Sequence, residues 1–316
     1  MSAINSSTLF HFTRRFADLK RIVQKGLRFS YCFESLPKEI ILNHIIPASM
    51  NFSKDIKIRD DSKEYGVAIP MVCFCDIPLL RIKEHKLKYG SYAIGFDKDF
   101  LSDIYNPILN PVWYMDSNNV SDSVLHFSKM SEEANNEKWK LIVKYCNNPT
   151  FQAEFEKDGD NAIINNKLLF EQHRSLIDNT FYTKTLLGYC KPYGYKNSKN
   201  KYICNYDERE WRAIIHDGID ERTNWVWDVY KDDFESNKNM WNEEIETCED
   251  AFITIPEGFQ YHAITHIIVK TDNEIRALIK LIMNSKFLFR ENNISDEERL
   301  ILVSKLTSFE RIEKDY

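Results

Sequence analysis

A nearly unbroken apolar run at positions 68–75 is the feature that most constrains how this chain can fold. It reads Ala-Ile-Pro-Met-Val-Cys-Phe-Cys and lacks the alternation of apolar and polar residues that a half-exposed strand shows. A strand of this kind is buried on both faces, so other elements must cover both sides of its sheet. Pro70 has no N–H to donate, and we expect it at the start of the strand or at a bulge.

Patterns on either side of this run predict an α+β fold. Strands are indicated at 9–13, 91–96, 111–114, 201–216, 251–255 and 263–269. Helices are indicated at 16–25, at 79–89, at 98–105, after the cap Thr271–Glu274, and from Ser295 toward Ile312. Thr13 is the predicted N-cap of the first helix, and 27–65 is predicted to be rich in loops.

Residues 121–190 show helical spacing and interrupt the strand-rich parts of the chain. We therefore predict three regions. Residues 1–120 form the N-terminal half of a mixed core, 121–200 form a helical insertion, and 201–316 form the C-terminal half with its terminal helices.

Charge and cysteine usage limit the classes of function. The net charge of −6 does not favour a general electrostatic grip on nucleic acid or on an anionic membrane. The seven cysteines are scattered and odd in number, which predicts reduced thiols and a cytoplasmic protein. Neither a signal peptide nor an apolar stretch of membrane-spanning length is evident, so no membrane partner is expected.

The segment 206–215, Tyr-Asp-Glu-Arg-Glu-Trp-Arg-Ala-Ile-Ile, is the most informative for chemistry. On a strand, Glu208, Glu210 and Arg212 would share one face. Two carboxylates at this spacing repel each other, which strands disfavour unless a cation, a substrate or a reaction uses them. The structural alternative is a charged edge strand in which Arg212 pairs with Glu210.

His11 lies in an aromatic strand close to the N-terminus, followed by Thr13. A histidine among apolar residues is often a hydrogen-bonded core residue. Its combination with a late Glu-X-Glu strand makes it a candidate for an active site. We therefore predict that His11 meets Glu208 and Glu210 around one cavity.

Several motifs, in order along most of the chain, resemble the AbiGi-type abortive phage-infection proteins. They are Leu9-Phe10-His11-Phe12-Thr13, Leu19-X-X-Ile22-X-X-X-Gly26-Leu27, Pro70 to Pro78 with its core Cys-Phe-Cys-Asp-Ile-Pro, His85, Tyr89-Gly90, and Asp207 to Arg212. The resemblance is weakest across 115–200. It implies a role in phage defence.

A looser resemblance is to ADP-ribosyltransferase-like domains, and it implies a split, strongly curved sheet. In that pattern His11 matches the first-strand position, Glu210 the catalytic carboxylate, and Glu208 the upstream acidic residue that orients the acceptor. The middle position has no decisive match, with Phe74, Cys75 and Tyr92 all nearby. The NAD-contacting residues that this resemblance implies are His11, Thr13, Phe74, Tyr92 and Arg212.

The implied reaction is a glycosyl transfer that uses NAD as a substrate. Positive charge develops on the ribose when the nicotinamide bond breaks, and a buried carboxylate stabilises it. The chain has no glycine-rich dinucleotide motif, but this type of site does not use one. RNA or protein would be the acceptor, and hydrolysis of NAD without an acceptor is a further option.

A non-enzymatic role stands beside this toxin hypothesis. AbiGi-type proteins are described as antitoxins, so the resemblance also implies a binding or regulatory module that holds a cognate toxin. A chain that is harmless alone and suppresses a neighbouring gene product would distinguish this role from that of a toxin.

Other constellations point less clearly to function. Cys73 and Cys75 with Asp76 and His85 suggest either a metal site or a Cys–His nucleophile, but the spacing is poor for zinc and no second pair completes a site. We therefore predict no metal. The basic and aromatic cluster at 191–201 reads mostly as a turn, with contact to a nucleic-acid acceptor as the functional alternative.

Overall fold

The computed structural model describes residues 6–35, 63–105, 108–115, 147–159, 185–196, 199–214, 227–247, 252–253, 260–291 and 294–315, with ten single residues between 130 and 175. Each of those ten is helical, as predicted for that block. Most of 121–190 and the middle of 27–65 lie outside the described residues. The division into 1–120, 121–200 and 201–316 stays a prediction.

The described residues include fifteen strands and nine helices with defined bounds. The strands are β1 (Thr8–Thr13), β2 (Leu27–Arg28), β3 (Ser30–Ser35), β4 (Tyr65–Cys75), β5 (Tyr92–Asp97), β6 (Leu109–Pro111), β7 (Trp113–Met115), β8 (Cys190–Pro192), β9 (Gly194–Lys196), β10 (Tyr202–Cys204), β11 (Glu210–Ile214), β12 (Trp227–Tyr230), β13 (Phe252–Ile253), β14 (Ile264–Val269) and β15 (Leu306–Ser308). The helices are α1 (Phe16–Lys25), α2 (Ile82–Tyr89), α3 (Lys98–Tyr105), α4 (Pro149–Asp158), α5 (Lys231–Glu246), α6 (Gln260–Ala263), α7 (Asp272–Asn284), α8 (Asp296–Ser304) and α9 (Phe309–Asp315), with 3₁₀ turns at Leu79–Arg81 and Tyr206–Glu208.

The apolar run forms the long central strand β4, as predicted. A nine-stranded sheet is ordered β15-β14-β5-β1-β4-β11-β6, and β3 and β12 also pair with β4. The pairing is antiparallel except between β14 and β15, so the sheet is mixed and the predicted α+β class is confirmed. Strands from both ends of the chain therefore share one core.

Both faces of the sheet are covered, which explains why β4 is apolar throughout. One face bears His11 and Phe74, and α1, α5, α7 and α8 pack on it around the largest core cluster. We call it the His11 face. The other face bears Phe10 and Cys75 and carries two smaller apolar clusters. One of these contains Leu187 and Tyr189, and the other contains residues of α2 and α9.

Along one edge of β4, two different strands, β1 and β3, pair with it at separate positions. The opposite edge is occupied by β11 from Cys75 to Met71, so β1 and β3 must both lie on the first edge. On that edge β1 pairs at Cys75, and β3 pairs from Met71 toward Gly66. The side chain of His11 reaches into the interval between them, where its Nδ1 lies 2.9 Å from the carbonyl oxygen of Cys73.

Several local predictions are wrong in detail. The N-cap of α1 is Arg15 instead of Thr13, whose hydroxyl donates to Asp18. The 27–65 segment, predicted to be rich in loops, contributes β2, which pairs with β13, and β3, which pairs with β4.

Two boundary predictions also need correction. Pro70 lies inside β4 instead of at its start, between the pairing with β12, which ends at Ala68, and the pairing with β11, which begins at Met71. Its missing N–H therefore coincides with a change of partner strand. The last predicted helix is broken, because residues 306–308 leave α8 to pair with β14 before α9 begins. The capping boxes at Thr271 and Ser295 are both present, as the sequence indicated.

Within the described ranges, each helix is either too short or too polar to cross a lipid bilayer.

Candidate functional site

Six charged side chains of alternating sign form a continuous series on the face opposite His11. In order of contact they are Lys88, Glu208, Lys191, Glu210, Arg212 and Glu34. We call this series the ion-pair chain. It joins α2, the 3₁₀ turn at Tyr206–Glu208, β8, β11 and β3, and so ties together parts of the chain that are far apart in sequence.

Arg212 is the buried centre of the ion-pair chain. Its side chain is 1% exposed. Its Nε donates to Glu210 at 2.8 Å, and one terminal nitrogen lies 2.9 Å from Glu34. The other terminal nitrogen donates to the backbone carbonyl of Gly188. The guanidinium thereby links β11 and β3 to the segment that contains Gly188.

Lys191 bridges the two glutamates that the sequence singled out. Its Nζ lies 2.6 Å from Glu208 and 2.8 Å from Glu210. Lys88 pairs with the other oxygen of Glu208, and the Tyr89 hydroxyl also hydrogen-bonds this carboxylate. Repulsion between the two carboxylates is therefore relieved by cations of the protein itself.

The backbone brings Glu208 and Glu210 together in a way that differs from the prediction. Glu208 is not on a strand but ends a 3₁₀ turn, and β11 begins only at Glu210. Arg209 between them has a φ of 44°, in the left-handed region. Both carboxylates reach Lys191 from either side of this residue, in spite of the break in strand alternation.

The electrostatics of the ion-pair chain keep both carboxylates ionised. Burial alone would raise the pKa of Glu210, but Arg212 and Lys191 hold it at about 2. Burial would likewise raise the pKa of Glu208, but Lys191 and Lys88 keep it below its usual value. Burial raises the pKa of Glu34 in spite of Arg212. A general base works best with a pKa near the operating pH, and Glu210 is far from that condition.

The structure does not bring His11 to the glutamates. Phe10, Cys75 and Glu210 occupy paired positions on adjacent strands and so point to the same face of the sheet. His11 follows Phe10 and points to the opposite face, where its ring contacts Phe74 edge-on at a centroid distance of 6.0 Å. A carbonyl oxygen only accepts, so the Nδ1 of His11 that faces the Cys73 carbonyl carries the proton.

The predicted NAD-contacting residues are divided by the sheet in the same way. Thr13, Phe74 and Tyr92 lie on the His11 face, and Arg212 lies on the other. Phe74 is 1% exposed and belongs to the core. The Tyr92 hydroxyl donates to Glu274 at 2.8 Å, and burial together with this carboxylate raises the pKa of Tyr92 to about 12.

The cysteine alternatives find little support in the geometry. Burial raises the pKa of Cys75 above its usual range, and the charges of Glu210 and Glu208 raise it further, which disfavours a nucleophilic thiolate. Asp76 pairs instead with Lys98 at 2.7 Å. His85 packs in a cluster of three rings with Phe12 and Tyr89. Among the described side chains, no three His, Cys, Asp or Glu residues come together as a set that could hold a metal ion.

Comparison with known proteins gives the family. The family model described as "Putative abortive phage resistance protein AbiGi, antitoxin" matches residues 48–247, more than half of the chain. This chain belongs to the AbiGi family. The "Abortive phage resistance protein AbiGi" of Lactococcus lactis subsp. cremoris is 27% identical over 280 residues, which cover 85% of this chain and 97% of that protein. No solved structure matches, so the likeness to the ADP-ribosyltransferase fold has no structural neighbour behind it.

The sequence pattern of this AbiGi family member missed half of the ion-pair chain. Lys88, Lys191 and Glu34 were not predicted as partners of the glutamates, because they come from distant positions whose spacing carries no signal. Tyr114 was also missed, although its hydroxyl accepts from the backbone N–H of Glu210 at 2.8 Å. An excess of lysine in 191–201 was the one hint that cations lie close to Glu208.

Replacing Arg212 with methionine should destabilise this AbiGi protein by about 3–5 kcal/mol, because Glu210 and Glu34 would keep buried charges without their cation. Urea denaturation measures this change in the free energy of unfolding. Arg15→Met is the matched control, since Arg15 is 77% exposed in its pair with Asp18 and should cost less than about 1 kcal/mol. Equal effects of the two substitutions would contradict a structural role of the ion-pair chain.

Acid should weaken the fold through Glu210. Its pKa is lowered on folding from the ordinary 4.5 to about 2, so its contribution is present above pH 4.5 and is lost as the pH falls toward 2. The loss amounts to about 3 kcal/mol for this group, and Glu208 acts in the same direction while Glu34 partly offsets it. Thermal unfolding measured across this range should show a flatter pH dependence for Glu210→Gln than for the wild type. An identical slope would refute the assignment.

Proposed function

We propose that this AbiGi family member serves in abortive phage resistance as an antitoxin, a binding module that neutralises a cognate toxin. The observation that carries the proposal is the state of Glu210. One of its oxygens receives Arg212, and the other receives Lys191. A carboxylate with both oxygens occupied and a low pKa is suited to fixing the fold, and the family description supplies the antitoxin role.

The location of His11 supports the same proposal. A transfer reaction would need His11 and Glu210 at one cavity, whereas the strand register directs them to opposite faces of the sheet. Side chains pack at both positions, with Phe74 against His11 and with the ion-pair chain around Glu210.

Expression in a bacterial host tests the antitoxin role. The chain alone should leave growth unchanged, and it should restore growth when it is co-expressed with the protein of the adjacent gene, if that protein is toxic by itself. Colony counts after induction measure both effects. Arrest of growth by this chain alone, relieved by Glu210→Ala but not by the surface control Glu137→Gln, would show that it is the toxin instead.

A second candidate is the ADP-ribosyltransferase-like activity that uses NAD. The strand order favours it to a limited extent, because the strands of His11 and Glu210 flank β4 and the sheet divides beside His11. Under this candidate His11 and Thr13 would hold NAD, Glu210 would stabilise the ribose charge, and Glu208 would orient an RNA or protein acceptor.

Purified protein incubated with labelled NAD distinguishes the two candidates. The transferase candidate expects release of nicotinamide, with or without label on RNA or protein, that Glu210→Gln abolishes. The antitoxin proposal expects neither release nor transfer, since Glu210 is buried and both of its oxygens already accept from cations of the protein. Circular dichroism of Glu210→Gln must show a native fold before its loss of activity is assigned to chemistry, and Glu137→Gln should behave as the wild type.

A further inference from the structure

Four tyrosines form a continuous surface directly above the ion-pair chain. Tyr193 and Tyr206 stack with a centroid distance of 5.4 Å and an angle of 15°, and Tyr114 meets Tyr206 edge-on at 5.4 Å. Tyr202 lies across Gly194, where a Cβ would collide with its ring. We call Tyr114, Tyr193, Tyr202 and Tyr206 the tyrosine surface. Three of its members are well exposed, at 43% for Tyr193, 55% for Tyr202 and 44% for Tyr206.

The backbone beneath these rings is held in place. The carbonyl of Tyr193 accepts from the N–H groups of Asn205 and Tyr206, and its own N–H donates to Met115. The hydroxyl of Tyr114 is fixed by the N–H of Glu210. Lys191 and Glu208, each two residues from a stacked tyrosine, are joined in the ion-pair chain. Rings held in this way lose little conformational entropy when they bind a partner.

The local charge indicates which kind of partner suits the tyrosine surface. Residues 190–209 contain five cationic and two acidic side chains, whereas the whole chain has a net charge of −6. Lys199 and Lys201 are exposed at the end of the β9–β10 hairpin, next to Tyr202. Lys191 and Glu208 neutralise each other, and the rest of this segment still holds four cationic side chains and one acidic side chain. An acidic surface is therefore the complementary one.

The arrangement of the rings favours protein over nucleic acid. Bases bind by stacking on an open aromatic face. Here Tyr193 and Tyr206 each cover one face of the other ring, and Tyr202 lies against Gly194, so fewer ring faces are left for bases than on an open aromatic surface. The overall negative charge also opposes contact with many phosphates. Tyrosines that combine an apolar body with a hydroxyl are enriched in protein interfaces.

We propose that the tyrosine surface, with Lys199 and Lys201 at its border, is the docking site for an acidic protein partner, the toxin that this chain neutralises. The inference rests on the antitoxin role proposed above and adds the place and the chemistry of contact. The ion-pair chain then acts as the rigid support of the interface.

Binding measurements with the purified protein of the adjacent gene test this inference. Tyr202→Ala and Tyr206→Ala should each weaken the dissociation constant by about tenfold or more, as for aromatic interface anchors. Lys199→Glu with Lys201→Glu should slow association and reduce its dependence on salt. Phe287→Ala, between α7 and α8, and Leu300→Ala, in α8, are the matched controls for exposed apolar side chains and should leave binding unchanged. Lys140→Glu with Lys144→Glu is the matched control for the charge reversals and should also leave binding unchanged.

Each other outcome has a distinct meaning. Rescue of growth with unchanged binding by the tyrosine and lysine variants would overturn the surface and leave the antitoxin role intact. A neighbouring protein that is neither bound nor neutralised would overturn both proposals. Binding of a single-stranded uridine oligonucleotide that the tyrosine variants abolish would replace the protein partner with RNA. If Tyr206→Ala fails to fold, Tyr202→Ala and the lysine reversals decide the question.

Discussion

The burial of one guanidinium within the sheet is the constraint on which this structure depends. Arg212 is 1% exposed, so each of its donors must find an acceptor inside the protein. Glu210, Glu34 and the carbonyl of Gly188 supply them. These acceptors come from β11, β3 and the segment that precedes β8. The position of Arg212 therefore fixes how the segment covers the sheet, and also how β3 joins the central strand.

Such a series of charges contributes more to specificity than to net stability. Removing a charged group from water costs several kcal/mol for each buried member of the series, and their mutual attraction does little more than offset this cost. What the ion-pair chain supplies is a defined position for the 3₁₀ turn at 206–208 and for β8. Tyr206 begins this turn and Tyr193 directly follows β8, so the charges inside the protein determine the shape of the surface outside.

The sequence predicted the elements whose residues carry a local signal. The apolar run of β4, the helix α1 and the capping boxes at Thr271 and Ser295 depend on neighbours in sequence, and the structure confirms them. The break at 306–308 was missed because β15 forms through pairing with the distant β14. The same limit applies to the site. The Glu-X-Glu pair was visible as an electrostatic anomaly, and Arg212 was recognised as a partner of Glu210. Its other two cations, Lys88 and Lys191, were not predicted, since long-range ion pairs leave no spacing in the sequence.

The separation of His11 from Glu210 follows from the two-residue period of strands, and only a change of strand register would remove it. Moving His11 to the other face would require a shift of β1 by one residue, which would also exchange the faces of Leu9 and Phe10. Both are fully buried in different apolar clusters, so the register is strongly specified. Bringing His11 and Glu210 together in one active site would need a rearrangement of the core itself. A partner that contacts only the tyrosine surface needs none, and for that reason the binding role fits this fold better than the transfer reaction.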